Sequence, residues 1–167
     1  MITKVKISST FECSLERAFK TAILCDLSKI HTGMGVMPKV THTTDDNNWG
    51  IAGSSKNVHF EKSFLQKGGY GSVDRIIERN ENKYWIIQVD SFQSWMLSFY
   101  KFVGKWETTQ IAFNKIKIDY SYSLYSNNIL LYPLNWIFGK IFWKRYMQQV
   151  LENIRDLIDK KEPYQFS

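Results

Sequence analysis

The chain has 167 residues, is 44% hydrophobic and 16% aromatic, and carries a formal charge of +6 from 22 Lys plus Arg against 16 Asp plus Glu. That is apolar material for a substantial core and a length that fits a single domain, 1–167. The basic residues form no run, and no basic stripe is interleaved with the aromatics, which argues against a nucleic-acid binder.

Residues 4–13 alternate loosely, with Val5, Ile7, Ser9 and Phe11 on one side, and read as a first strand. The N-terminus lacks the apolar run of a signal peptide, so a soluble, cytoplasmic protein is the expectation. Ser14 is placed to cap a short amphipathic helix that carries Leu15, Ala18, Phe19, Ala22 and Ile23. Asp26 is placed to cap a second one, through Ile30, which Gly33, Gly35 and Pro38 end. The run Asp45, Asp46, Asn47, Asn48 reads as a turn.

From Trp49 the period changes to two. Val58 and Phe60 mark a second strand, and Tyr70 to Arg79 a third, entered through Gly68, Gly69 and Gly71. Asn80, Glu81 and Asn82 make a tight link to a fourth, Tyr84 to Asp90, with Trp85, Ile87 and Val89 on one face. A fifth covers roughly Met96 to Ile111, and Asn114 turns into a sixth. There Ile116, Ile118, Tyr120, Tyr122 and Leu124 oppose Lys117, Asp119, Ser121 and Ser123.

The segment 129–161 reads as one long helix, about 45 Å if unbroken. Met147, Val150, Leu151, Ile154, Leu157 and Ile158 share one face of its second half. Extended backwards, that face takes in Trp143, Gly139 or Lys140, and Trp136. Leu130, Leu131, Ile137, Phe138, Ile141 and Phe142 cover more of the circumference than one sheet can bury. Pro133, Asn135, Gly139 and Lys140 interrupt this apolar stretch, which is too short and too broken for a membrane span.

The order of elements predicts an α+β fold: a curved antiparallel sheet with a long helix across its concave side. It resembles the START-like superfamily, also called Bet v 1-like, SRPBCC or helix-grip, and within it the polyketide cyclase/dehydrase and lipid-transport branch. Phe11 to Phe19 is similar to that family's first strand and the start of its paired small helices. Trp49 to Ser54 falls at its glycine-bearing turn, and Trp106 to Thr109 with Ile116 to Tyr122 resembles its final hairpin. The segment 93–104 is richer in aromatics than usual for that family. The resemblance implies a cavity for a hydrophobic molecule between sheet and helix. It brings no shared catalytic signature, so the catalytic residues stay unassigned and no cofactor is expected.

From the resemblance and the helix period together, Trp106, Tyr120, Tyr122, Trp143 and Met147 are expected to face that cavity. His59 and Glu61 are two apart on one strand and would form a polar patch if their face were concave. Asp74 and Asp90 sit on the two arms of the hairpin formed by the third and fourth strands. A pairing sum near 162 sets Asp74 opposite Gln88 and Asp90 opposite Ser72, with solvated carboxylates on the convex face as the simpler reading. His31, His42 and His59 match no metal motif and read as surface or loop histidines. Cys13 and Cys25 make neither a metal site nor a disulfide framework, and no metal is expected.

Three functions remain open. The leading one is binding or transport of a hydrophobic small molecule or lipid, gated by the glycine-containing loop 33–53 and the hairpin tips. The second is polyketide cyclase- or dehydratase-like chemistry, with Tyr, Asp or His as acid or base. The third is a protein-interaction or stress-related module with a filled core. The greasy first half of the long helix, near Lys140, Lys144 and Arg145, would serve as a peripheral membrane contact or a homodimer surface through Ile137, Ile141 and Phe142.

Overall fold

The computed structural model describes residues 1–63, 67–93 and 98–167. The chain forms β1 (Ile2–Glu12), α1 (Leu15–Leu24), α2 (Leu27–Ile30), β2 (Val40–Thr44), β3 (Ser55–Phe60), β4 (Gly69–Asn80), β5 (Tyr84–Asp90), β6 (Phe99–Ala112) and β7 (Lys115–Ser126). A C-terminal helix of 28 residues follows, in three parts: α3 (Tyr132–Ile137), a π-helical stretch (Phe138–Trp143) and α4 (Lys144–Asp159).

The strands make one antiparallel sheet in the order β1-β7-β6-β5-β4-β3-β2. It curves around the helix in a helix-grip arrangement. Because β1 and β2 are its opposite edges, α1 and α2 carry the chain from one edge to the other beneath α4. Both caps form as the sequence predicts. The Ser14 hydroxyl accepts from the Arg17 amide at 3.2 Å, and Asp26 accepts from the Ser28 amide at 2.9 Å.

The sheet has seven strands where the alternation predicts six. β2 was missed because its sequence, Val-Thr-His-Thr-Thr, offers one apolar residue, Val40, to the core. The predicted start of the β6 strand at Met96, and Trp95, lie outside the described residues; β6 is described from Phe99. In β7 the face from Ile116 to Leu124 is buried as read. Its opposite face carries Asp119, which accepts from the Ser8 hydroxyl and sits 3.3 and 3.0 Å from the Lys6 and Lys117 ammonium groups.

The register of β4 and β5 differs from the predicted one. Asn80 pairs with Tyr84, but beyond a bulge between Ile76 and Glu78, Asp74 pairs with Val89 and Val73 with Asp90. The extra residue is the exposed Ile77. The one-residue shift turns Asp74 inward with Val89 and leaves Asp90 on the other face, beside Arg75 and Gln88.

The long helix begins three residues later than predicted. Asn128 accepts from the Leu130 amide at 2.9 Å, and Pro133 stands in the first turn, where its missing N–H costs nothing. The π-helical stretch then changes the phase of the buried face. Phe138, Gly139 and Trp143 point into the fold, and Asn135 is buried in place of Trp136, which is 49% exposed. Placing Trp136 on the inner face is therefore corrected, since a 3.6-residue period cannot run unbroken through wider turns. Gly139 lets this stretch press on β1, where an added Cβ would lie 2.6 Å from the Thr3 methyl.

An aromatic wall runs through the core. Trp85 stacks on Trp106 at 5.8 Å, and edge contacts carry the row through Tyr120, Tyr122, Trp143 and Phe102 at 4.8–5.3 Å. The Tyr122 ring fits only because its β6 partner is Gly104, where an added Cβ would lie 2.6 Å from the ring. Gly104→Ala should therefore lower stability by about 1–3 kcal/mol in urea unfolding. The same change in a Tyr122→Ser background should cost much less. An equal cost in both backgrounds would mean that the ring is not what the glycine accommodates.

Candidate functional site

Between the sheet and the helix lies a cavity of about 550 Å³. Its walls are largely apolar, from Ile23, Ile30, Val58, Phe60, Ile87, Val89, Phe99, Phe102, Phe138 and Val150 among others. Trp85, Trp106 and Trp143 supply much of the aromatic lining. Pockets of this size and character take drug-sized molecules, with a few polar groups setting orientation.

Among the described residues, eight ionisable side chains line it: Lys67 and Tyr70, which are exposed, and His31, Lys56, Asp74, Tyr120, Tyr122 and Tyr146. Strand parity delivers most of the last six. Lys56 shares the inner face of β3 with Val58 and Phe60. Asp74 stands opposite Lys56 in the β3–β4 register, and Tyr120 and Tyr122 come from β7. Tyr146 lies one turn before Val150 on α4, and His31 caps the C-terminal end of α2.

Burial sets the protonation of these six. It holds the His31 imidazole down to about 3, with the Lys56 charge adding to the effect, so the ring is neutral near neutrality. The neutral ring meets the Tyr146 hydroxyl at 2.6 Å through Nδ1. Burial pushes the Asp74 carboxyl up to about 6 against the attraction of Lys56. It pushes the Lys56 amine down against the attraction of Asp74. The Tyr120, Tyr122 and Tyr146 hydroxyls are driven upward by burial and stay protonated. Tyr120 donates to Tyr122 over 3.3 Å. The site can therefore offer hydroxyl donors, a neutral imidazole, a carboxyl that titrates at about 6, and an amine whose charged form burial disfavours.

Of the residues expected at the cavity, Trp106, Tyr120, Tyr122, Trp143 and Asp74 line it. Met147 does not; it is buried at 1% exposure in the core beside the cavity. His59 faces away, stacked on His42 at 4.4 Å and bonded to the Thr44 hydroxyl at 3.0 Å. Glu61 is exposed, and Asp90 binds Arg75 on the outer face. No shared acidic or histidine patch arises from His59, Glu61, Asp74 and Asp90. The reading of Asp74 as a solvated carboxylate is also overturned, because the Ile77 bulge reverses its face.

Lys56 was missed, and the reading of His31 as a surface or loop histidine is corrected, since it lines the cavity. Carrying the alternation of Val58 and Phe60 two residues back reaches Lys56, so its position was readable and only its charge disguised it. Nothing local marks His31, which is brought in by the turn after α2. Cys25 is buried and its thiol pushed up to about 12, which leaves it inert near neutrality. Among the described residues, no three His, Cys, Asp or Glu side chains gather to hold a metal.

By sequence the chain matches no family model and no curated protein. By structure it is similar to Ara h 8.0201, with a TM-score of 0.68 at 13% identity, over 96% of this chain and 99% of that one. It is also similar to a Staphylococcus aureus protein of unknown function, with a TM-score of 0.71 at 11% identity, over 96% of each chain. A third similar structure is norcoclaurine synthase from Thalictrum flavum in complex with dopamine and hydroxybenzaldehyde. Its TM-score is 0.65 at 9% identity, over 98% of this chain and 90% of that one. The fold is therefore the START-like, Bet v 1-like helix-grip fold that the order of elements resembles.

The opposed shifts of His31 and Asp74 give a pH test. Between about 6.5 and 3 the unfolded chain protonates His31 while the folded chain does not, so this residue lowers stability as pH falls. Asp74 acts oppositely, its folded carboxyl holding a proton up to about 6 against 3.8 unfolded, so it lowers stability as pH rises through that window. On going from pH 7 to 4.5, wild type should lose about 2 kcal/mol more than His31→Gln in urea unfolding. Gln retains an acceptor for Tyr146, and parallel pH profiles would refute a neutral His31 in the folded chain.

Proposed function

We propose that this protein binds a hydrophobic small molecule or lipid in the cavity under the long helix. The observation that carries this reading is the 550 Å³ apolar cavity with its ionisable side chains. Covering an apolar molecule there removes its surface from water at about 25 cal/mol per Å². The polar groups would fix its orientation. A filled interaction module has less support, because a well-packed core leaves no space of this size. The similar structures include one bound to dopamine and hydroxybenzaldehyde, which supports a ligand-holding use of such a fold and no particular ligand.

The first half of the long helix supports a lipid-facing role. Leu134, Trp136, Ile137, Ile141 and Phe142 are each at least 41% exposed, after Ile129 and Leu130 at 75% and 86%. Lys144 and Arg145 are exposed on the next turn. An apolar band flanked by cations suits the surface of an anionic bilayer. Phe138 and Trp143, from the same stretch, line the cavity, so a membrane contact and a route for the ligand would adjoin. The second reading is acid/base catalysis on the bound molecule. It is favoured by one observation, the buried Asp74 carboxyl held up to about 6.

Both parts can be tested. Val58→Phe fills cavity space from a buried position and should weaken binding of anilinonaphthalene sulfonate about tenfold with little change in melting temperature. Unchanged affinity would place the dye elsewhere and count against the cavity. In sedimentation with phosphatidylglycerol vesicles, the Trp136→Ser and Ile141→Ser double variant should bind several-fold less than wild type. Equal sedimentation would remove the lipid-facing role and leave the cavity reading standing.

A further inference from the structure

Lys56 is held in an unusual way. It is 1% exposed, on the inner face of β3, opposite Asp74. Among the described residues, neither its ammonium nor the Asp74 carboxylate makes a hydrogen bond or an ion pair within 4 Å. The Lys56 Nζ lies instead 3.9 Å from the centroid of the Trp49 ring and 5.3 Å from that of Phe166. Both faces are fixed. The Trp49 indole N–H donates to the Ile23 carbonyl at 2.7 Å, and the Gln165 and Phe166 amides donate to the Leu24 carbonyl at 2.9 and 3.2 Å. A lysine serving only as structure would be expected to end on a carboxylate or on carbonyl oxygens. This one ends on two aromatic faces, of which Trp49 is part of the wall of the apolar cavity, with a carboxyl across the strand pair.

We infer that Lys56 is a nucleophilic amine that forms an imine with the aldehyde or ketone group of an apolar molecule held in the cavity. The inference rests on the cavity-binding reading above. The reactive form is the neutral amine facing the protonated Asp74, reached by moving one proton from the ammonium to the carboxylate. The Nζ lone pair adds to the carbonyl carbon, the C=O pair moves to oxygen, and one nitrogen proton ends on that oxygen to give a carbinolamine. Asp74 then protonates the hydroxyl, water leaves, and the nitrogen lone pair closes the C=N bond. The products are an iminium cation, the Asp74 carboxylate and one water. No oxidant or reductant is consumed, and hydrolysis reverses each step.

The pocket suits both ends of this path. The iminium carries the same charge as the ammonium it replaces, and the Trp49 and Phe166 faces attract either cation. Burial lowers the Lys56 amine and raises the Asp74 carboxyl, which narrows the gap the proton must cross. The surrounding apolar walls slow hydrolysis by limiting water.

The test is reductive trapping. The folded protein is incubated at pH 7 with cinnamaldehyde and sodium cyanoborohydride, then followed by intact mass and peptide mapping. One cinnamyl group should appear on Lys56 about tenfold faster than on any other lysine, because an exposed amine stays protonated. Lys56→Met should lose that adduct, and Lys56→Arg, which keeps a cation, provides a second check if the first variant folds poorly. Cinnamyl alcohol, which has no carbonyl, should bind wild type and compete with labelling. If the alcohol binds but Lys56 labels no faster than other lysines, the imine proposal fails and the cavity reading stands. If neither molecule binds or labels, both fail.

Discussion

One helix cannot fill the concave side of a seven-stranded sheet, and much of this structure follows from that mismatch. Strands about 4.8 Å apart make such a sheet roughly 30 Å across, whereas a helix with its side chains spans about 10–12 Å. The sheet can close on the helix only along part of its width. Here β1 and β7 meet the helix closely, helped by Gly139 against Thr3. The opposite side, toward β2, β3 and β4, is held off by α1, α2 and the aromatic wall. The cavity is the remainder. Its lining is correspondingly mixed: Trp and Tyr from β5, β6 and β7 bridge a gap that Leu or Val could not span.

Charge enters this apolar space from the far side, and there two terms oppose each other. Taking Lys56 and Asp74 out of water destabilises their charged forms, while their mutual attraction restores them. Because no direct ion pair forms, the attraction is incomplete, and both groups stay closer to losing charge than surface residues would. His31 gains no such compensation, since its charged neighbour Lys56 repels a second cation. Burial, with that repulsion added, keeps it neutral and free to meet the Tyr146 hydroxyl. Burial thus sets the direction of all three shifts, and one cation beside one carboxyl modulates them.

The parts of the fold that were legible in the sequence are those set by strong, regular periodicity. The face from Ile116 to Leu124 and the face from Met147 to Ile158 could be read directly because each buries nearly every residue of its stripe. What escaped has local physical causes. β2 is an edge strand with only one residue in the core, so it has no alternation to detect. Asp74 was placed on the wrong face because a single bulge residue, Ile77, reverses parity and leaves no mark in composition. Lys56 kept perfect parity with Val58 and Phe60, but a lysine is assumed to point outward unless its environment is known. His31 reaches the cavity through a chain reversal that no period describes.

The π-helical stretch joins the inner and outer faces of the molecule. An α-helix would bring residues i and i+4 to one face, yet here the buried pair is Phe138 and Trp143, five apart. The wider turn lets both aromatics reach the cavity wall, where Phe138 meets Phe99 and Trp143 meets Phe102 and Tyr122. It also commits Ile137, Ile141 and Phe142 to the outside. Had the helix continued at 3.6 residues per turn, Trp136 would have fallen on the inner face. The exposed apolar band and the aromatic lining of the cavity are therefore two consequences of one local change in pitch. A substitution that restored regular helix there would alter both together.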